Sequence, residues 1–188
     1  MKKKYIIIGM ITILALAAVL WKINRLNHFY QFSLAIFSDN LPAMEQMVKS
    51  GYNINDEEKG LRHLQLYLAG RQNYIYLPTI KKMFELGYKL NQNTDKSMPE
   101  LHYCVMGGDL EAIKLLLAHG ADVNLQNKIG ATALYIALLL KKYEIADYLL
   151  KHTPAKINLS KRNDIANQSA KAVHDGKLSS LYFERIKE

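Results

Sequence analysis

Little in this chain could carry chemistry. Its 188 residues include one cysteine, Cys104, so no internal disulfide framework can form. No base or electropositive setting accompanies Cys104, which reads as a packed thiol. The six histidines (His28, His63, His102, His119, His152 and His174) contain no H-E-x-x-H pair and no cysteine partner at zinc spacing. Gly107-Gly108 lacks the spacing of a dinucleotide fingerprint or a phosphate loop. No catalytic residues, cofactor or metal are therefore expected, and no small-molecule substrate. The formal charge of +8 is unevenly placed: Lys2, Lys3, Lys4, Lys22 and Arg25 lie at the start, and the remainder carries 20 basic and 17 acidic side chains. That balance is an ordinary solvated surface, not a nucleic-acid footprint. Proline is scarce, with four in all, and helix formers are plentiful.

What is present is a repeated phrase. Leu115 to Asn124 reads LLLAHGADVN: an apolar helical run, a glycine, then a short polar loop closed by asparagine. Gly51-Tyr52-Asn53-Ile54-Asn55 and Gly87-Tyr88-Lys89-Leu90-Asn91 share the skeleton, and Pro154-Ala155-Lys156-Ile157-Asn158 is a degenerate copy. The closing asparagines stand 36, 33 and 34 residues apart. An apolar helical segment precedes each, at Leu41–Val48, Leu77–Phe84, Leu110–Leu117 and Tyr143–Leu150, with a shorter one upstream, such as Leu134–Leu140. Gly120 can take the left-handed conformation that ends a helix. Val123 can turn back to the core, and Asn124 can bond nearby backbone. The unit is helix, turn, helix, glycine stop, loop. One such pair cannot bury its apolar face alone, but stacked neighbours can.

Gly120-Ala121-Asp122-Val123-Asn124 and Gly130-Ala131-Thr132-Ala133-Leu134-Tyr135-Ile136-Ala137 resemble the ankyrin-repeat family, the second segment standing where that family has G-x-T-P-L-H-x-A. The resemblance covers about residues 31–188, in repeats of about 31–59, 60–94, 95–127 and 128–160 with a C-terminal cap at 161–188. A short insertion falls around Arg71 to Tyr76. Lys141 replaces the usual inter-helix glycine, and Thr153-Pro154 the usual helix-ending one. His119 and His152 share one repeat position. The resemblance implies an all-α solenoid of four to five helix-turn-helix repeats, with His102 bonding backbone between repeats. It also implies a protein-binding module whose concave face is lined by loop tips and first helices. The matching positions are Asp95, Lys96 and Met98 in the third repeat and Lys128, Ile129 and Ala131 in the fourth, with Met106 and Leu139 on the first helices. Ile129 and Leu139 are either exposed anchors or residues packed on the neighbouring repeat. Tyr52 and Tyr88, which replace the family's small residue, either cover helix ends or form a different binding surface.

The N-terminus carries the second signal. After the basic residues 1–4 come seventeen uncharged residues, Tyr5 to Trp21. Such a helix is roughly 25 Å long, near the lower limit for crossing a bilayer. Tyr5 and Trp21 suit the two interfaces, and Lys22 and Arg25 can snorkel. Residues 22–30 then read as a linker to the repeats. The lysine excess before the run places the N-terminus in the cytoplasm and the repeats in the bacterial periplasm, as a single-pass inner-membrane protein. Cleavage after Ala15-Leu16-Ala17, giving a soluble periplasmic form, is the alternative. The expected role is binding another protein, either sequestering a toxin as an immunity protein or serving as a scaffold for an envelope enzyme.

Overall fold

The computed structural model describes residues 2–58, 61–71, 75–92, 98–155, 169 and 171–186. In the first helix, the first strand and the last helix it describes side chains for 14–37, 57 and 181–183. Part of the expected insertion (72–74), the end of the fourth repeat (156–160), and residues 161–168, 170, 187 and 188 of the expected cap lie outside the described residues.

Helix α1 (Lys2–Phe37) runs unbroken from the N-terminus into the first repeat. Residues 22–30, expected as a linker, are helical, and Phe29 is already buried. Among the described residues no helix is long and apolar enough to cross a membrane. The first nine residues of the expected span, Tyr5 to Ile13, fall in the part of α1 whose side chains are not described. Helix α2 (Leu41–Lys49) completes the first repeat. The second holds α3 (His63–Gly70) and α4 (Leu77–Glu85), the third α5 (Glu100–Gly107) and α6 (Leu110–Ala118), the fourth α7 (Ala133–Leu139) and α8 (Tyr143–His152). A helical turn at 171–174 and α9 (Leu181–Ile186) follow, with α9 against α8. Among the described residues, the departure from an all-α chain is at the first tip, where β1 (Glu57–Glu58) pairs antiparallel with β2 (Leu61–Arg62), Glu57 opposite Arg62.

Local chemistry sets the helix ends. Asn40 and Asp109 accept from Ala43 N (3.1 Å) and Ala112 N (2.8 Å) to cap α2 and α6, and Thr132 caps α7. After α6, Gly120 has φ +84°, and Ala121 N reaches back to Leu116 O at 3.0 Å. Tyr52 N to Met47 O (3.1 Å) and Tyr88 N to Met83 O (3.0 Å) repeat this bond at the two earlier stops. The fourth stop has no glycine and uses another device. Thr153 is extended, and its hydroxyl donates to Leu149 O at 2.5 Å and accepts from Ala155 N at 3.2 Å.

The first helices stack in order α1, α3, α5, α7. Phe32, Leu64, Leu101 and Leu134 occupy one repeat position and form a buried column; Met44, Ile80, Ile113 and Ala146 form a second through the outer helices. The closing asparagines tie each loop to the next. Asn55 donates to Gly87 O (3.0 Å) and accepts from Lys89 N (2.8 Å). Asn91 does the same with Gly120 O (2.7 Å) and Asp122 N (2.8 Å), and Asn124 donates to Pro154 O (3.1 Å). The spacing of these asparagines is thus the spacing of one structural ladder.

Candidate protein-binding surface

The tip of the fourth repeat is built by Asn127. Its Oδ1 accepts from Ile129 N (3.1 Å) and Ala131 N (3.0 Å), while Gly130 N donates to Asn127 O at 2.9 Å. This closed turn lifts Ile129 away from the stack, and Ile129 is 82% exposed. Lys128 beside it is exposed as well. Leu139, at the end of α7, is 40% exposed. Packing on the neighbouring repeat therefore does not account for Ile129, and only in part for Leu139. Met106, one repeat earlier on α5, is half-buried and rests against the core, as does Met98.

Ala131 corrects the expectation. It is buried, its amide is held by Asn127, and its carbonyl accepts from His102 Nε2 at 2.8 Å, so it presents no side chain to a partner. Its place at the foot of the tip, one residue before the Thr132 cap, turns it into the core. Asp95 and Lys96 lie outside the described residues. Leu140, which caps α7 next to Leu139, is 46% exposed and was not among the expected positions. The run Leu138-Leu139-Leu140 contained the signal, because three successive helical residues cannot all face one core.

Tyr52 and Tyr88 cover helix ends. Tyr52 stacks on Phe32 at 4.8 Å between centroids, and its hydroxyl meets His63 Nε2 at 2.5 Å. Tyr88 is buried and donates to Glu100 Oε1 at 2.9 Å. These contacts take Tyr88 wholly into the frame, whereas the half-buried Tyr52 also lines a concavity beside α1.

The buried polar groups serve that frame. His63 sits between Ser33 Oγ (3.1 Å) and the Tyr52 hydroxyl and stacks on Phe29. Burial, helped by the Arg62 charge, lowers its pKa to about 3. It is therefore neutral at ordinary pH, one ring nitrogen donating and the other accepting. Arg62 donates to Lys89 O and Asn55 Oδ1, both at 2.6 Å, lies 4.3 Å over the Tyr88 ring, and stands 3.5 Å from Glu100. Burial raises the Glu100 carboxyl, opposed by its hydrogen bonds and Arg62. Cys104 is wholly buried, and burial pushes its thiol up, so it offers no nucleophile. His119 stacks on Phe84 at 4.1 Å and His152 lies 4.6 Å from Tyr148, so their shared repeat position is an aromatic packing position. Among the described residues no group of three His, Cys, Asp or Glu side chains could hold a metal ion.

A second concavity, of about 660 Å³, lies between α1 and the loop after α2, lined by Trp21, Asn24, His28, Met47 and Asn53. At its wall Arg25 forks onto Asp56, at 3.2 and 3.3 Å, and reaches Glu57 O at 3.4 Å. The pair fixes α1 to the first tip.

The ankyrin-repeat family model, in three copies, matches residues 66–161. The chain is 35% identical over 83 residues to the Notch-regulated ankyrin repeat-containing protein of Xenopus tropicalis, covering 44% of this chain and 71% of that protein. It is 36% identical over 123 residues to zygote-specific protein 3 of Chlamydomonas reinhardtii, covering 65% of this chain and 31% of that protein. It is 29% identical over 140 residues to the nuclear factor NF-kappa-B p105 subunit of Gallus gallus, covering 72% of this chain and 14% of that one. The chain thus spans only a small part of the last two. With the stacked helix pairs, the glycine stops and the asparagine ladder, these matches establish that the chain belongs to the ankyrin-repeat family.

Proposed function

We propose that this protein is a membrane-anchored recognition module that binds another protein stoichiometrically and has no enzymatic activity. The observation that carries the binding reading is the Asn127-built turn holding Ile129 almost wholly in solvent beside Lys128. An isoleucine fixed there gains nothing from the fold and offers an apolar anchor on a preorganised tip. Leu139 at the end of α7, its C-cap residue Leu140 and the half-buried Met106 are further apolar side chains of the same two repeats within reach of a partner. His63, Tyr88, Glu100 and His102, the buried polar groups with shifted pKa values, are engaged in repeat-to-repeat contacts, which supports binding rather than catalysis.

The anchor is the uncharged run Tyr5 to Trp21, with the Lys2–Lys4 excess placing the repeats on the extracytoplasmic side, the bacterial periplasm in our reading. Leu14, Leu16, Val19 and Leu20 are all more than half exposed, so the fold gives them no protein cover. Sequestration of an incoming toxin fits a module held at the membrane surface. The test is affinity capture with the full-length protein in mild detergent, comparing it with an Ile129→Ser, Leu139→Ser variant. A polypeptide retained by the first and lost by the second is expected. Equal retention would remove the tip from the binding surface. Carbonate washing and N-terminal sequencing test the anchor, which a mature chain beginning at Ala18 would overturn.

A further inference from the structure

The repeats cover one face of α1 and leave the opposite face bare. Phe29, Phe32 and Ile36 enter the core. Leu16, Leu20, Ile23, Asn27, Tyr30 and Leu34 fall on one stripe roughly 160° around the helix from them. All six are exposed, Tyr30 by 52% and Leu34 by 62%. Helix α3 lies between α1 and α5, and α5 between α3 and α7, whereas α1 has a first-helix neighbour on one side only. Terminal repeats of a solenoid need a polar outer face or a cover. At the C-terminal end α9 covers α8. At the N-terminal end Tyr30 and Leu34 meet solvent.

The stripe advances in steps of four, three, four, three and four residues, the alternation of the a and d positions of a heptad. Leu20, Asn27 and Leu34 stand at a; Leu16, Ile23 and Tyr30 at d. The flanking e and g positions, Asn24, Leu26, Gln31 and Ser33, carry no charge. Lys22 and Arg25 fall at c and f, and Arg25 is drawn off by Asp56. A second copy of the same helix can therefore lie along the seam without like-charge contact. The polar Asn27 favours that occupant. In a parallel, in-register pair it meets its own counterpart and both amides are satisfied, whereas an apolar partner helix would bury it unpaired.

We propose that α1 pairs with α1 of a second copy as a parallel two-stranded coiled coil, with the two repeat stacks facing outward. The seam offers on the order of 500 Å² per copy, the low end for a specific interface. Its upper part, Leu16 and Leu20, rests on the anchor reading, and a common membrane orientation would raise the effective concentration of the pair. The part from Ile23 to Leu34 does not depend on that reading.

Disulfide trapping in the full-length protein in mild detergent tests this, with buried Cys104 as the only native thiol. Asn27→Cys and Leu34→Cys should cross-link to a second copy on mild oxidation, and Lys22→Cys and His28→Cys on the order of tenfold less. Light scattering of the unmodified chain should give the mass of two copies, falling to one in Ile23→Asp with Leu34→Asp. A single-copy mass at every concentration, equal cross-linking at all four positions, or cross-linking to a different polypeptide would each overturn the pairing. Release by carbonate with cross-links retained would overturn the anchor and leave the pairing standing.

Discussion

Arg62 and Glu100 meet at 3.5 Å with both side chains almost wholly withdrawn from water. The pair joins the second repeat to the third, and Tyr88 and Asn55 complete it. Removing one partner leaves an uncompensated buried charge. Arg62→Ala should destabilise the protein by about 3–5 kcal/mol. Arg62→Met with Glu100→Leu should recover most of that loss, because no buried charge remains. Denaturant melts of the single and double variants check this, and a double variant as weak as Arg62→Ala would show that shape, not charge, sets the cost.

His63 gives the stability a pH dependence. Its folded pKa is lowered from 6.5 to about 3, so between those values the unfolded chain binds the additional proton. The contribution is fully present above about pH 6.5 and is lost as pH falls towards 3, with a slope of about 1.4 kcal/mol per pH unit. His102, also lowered by burial, adds to the same decline. Stability measured from pH 7 to 4 should fall less steeply in His63→Gln than in the parent. Parallel curves would mean that His63 is protonated in the folded protein.

Two backbone positions should respond in opposite directions. Gly120 holds φ +84°, so Gly120→Val should cost on the order of 1–3 kcal/mol. Lys141 holds φ +57° at the inter-helix position where the preceding repeat has Gly108 at +84°. Lys141→Gly should therefore stabilise by up to about 1 kcal/mol. Thermal melts of the two variants on either side of the parent are the expected result.

The asparagine ladder can be cut at one rung. Asn91→Ala leaves Gly120 O and Asp122 N without their partner and should cost about 1–3 kcal/mol. Hydrogen exchange at Asp122 should rise in this variant, while the equivalent amide at Lys89, held by Asn55, should not change.

Binding should depend on Ile129 and Leu139 without a matching effect on the fold. Exposed substitutions usually alter stability by no more than about 0.5 kcal/mol, whereas an interface anchor can cost about 2 kcal/mol or more in affinity. Ile129→Ser with Leu139→Ser should thus weaken the partner complex and leave the melting curve in place. Met106→Ala is a poorer probe because Met106 also touches the core. Lys114→Ala on the outer helix is the control, since its partner Glu111 is a surface residue. Asp147 would not serve, because its carboxylate accepts from Ser179 N at 2.9 Å and holds the C-terminal segment.

The repeats were legible because one constraint recurs: a helix that must stop and a loop that must bond its neighbour leave glycine and asparagine at a fixed period. His102 was readable for the same reason, and its bond to Ala131 O stands where the resemblance implied it. The Arg62 network was not legible. Arg62 takes the place that Pro99 and Thr132 fill in later repeats, so no period announces it, and an arginine in a sequence reads as surface until its partners are known. The binding surface was legible in part. Position marked Ile129 and Leu139, but only the turn geometry separates exposed Ile129 from buried Ala131 two residues on.

The unbroken course of α1 has a geometric consequence. There is no hinge between Trp21 and Phe29, and Arg25 on Asp56 resists bending where the helix leaves the repeats. Azimuth and height are therefore set by residue count. Each residue inserted between Trp21 and Phe29 would swing the whole stack by about 100° about the helix axis and raise it by about 1.5 Å. A single-residue insertion would thus point the same intact surface in another direction, and two such insertions would nearly reverse it.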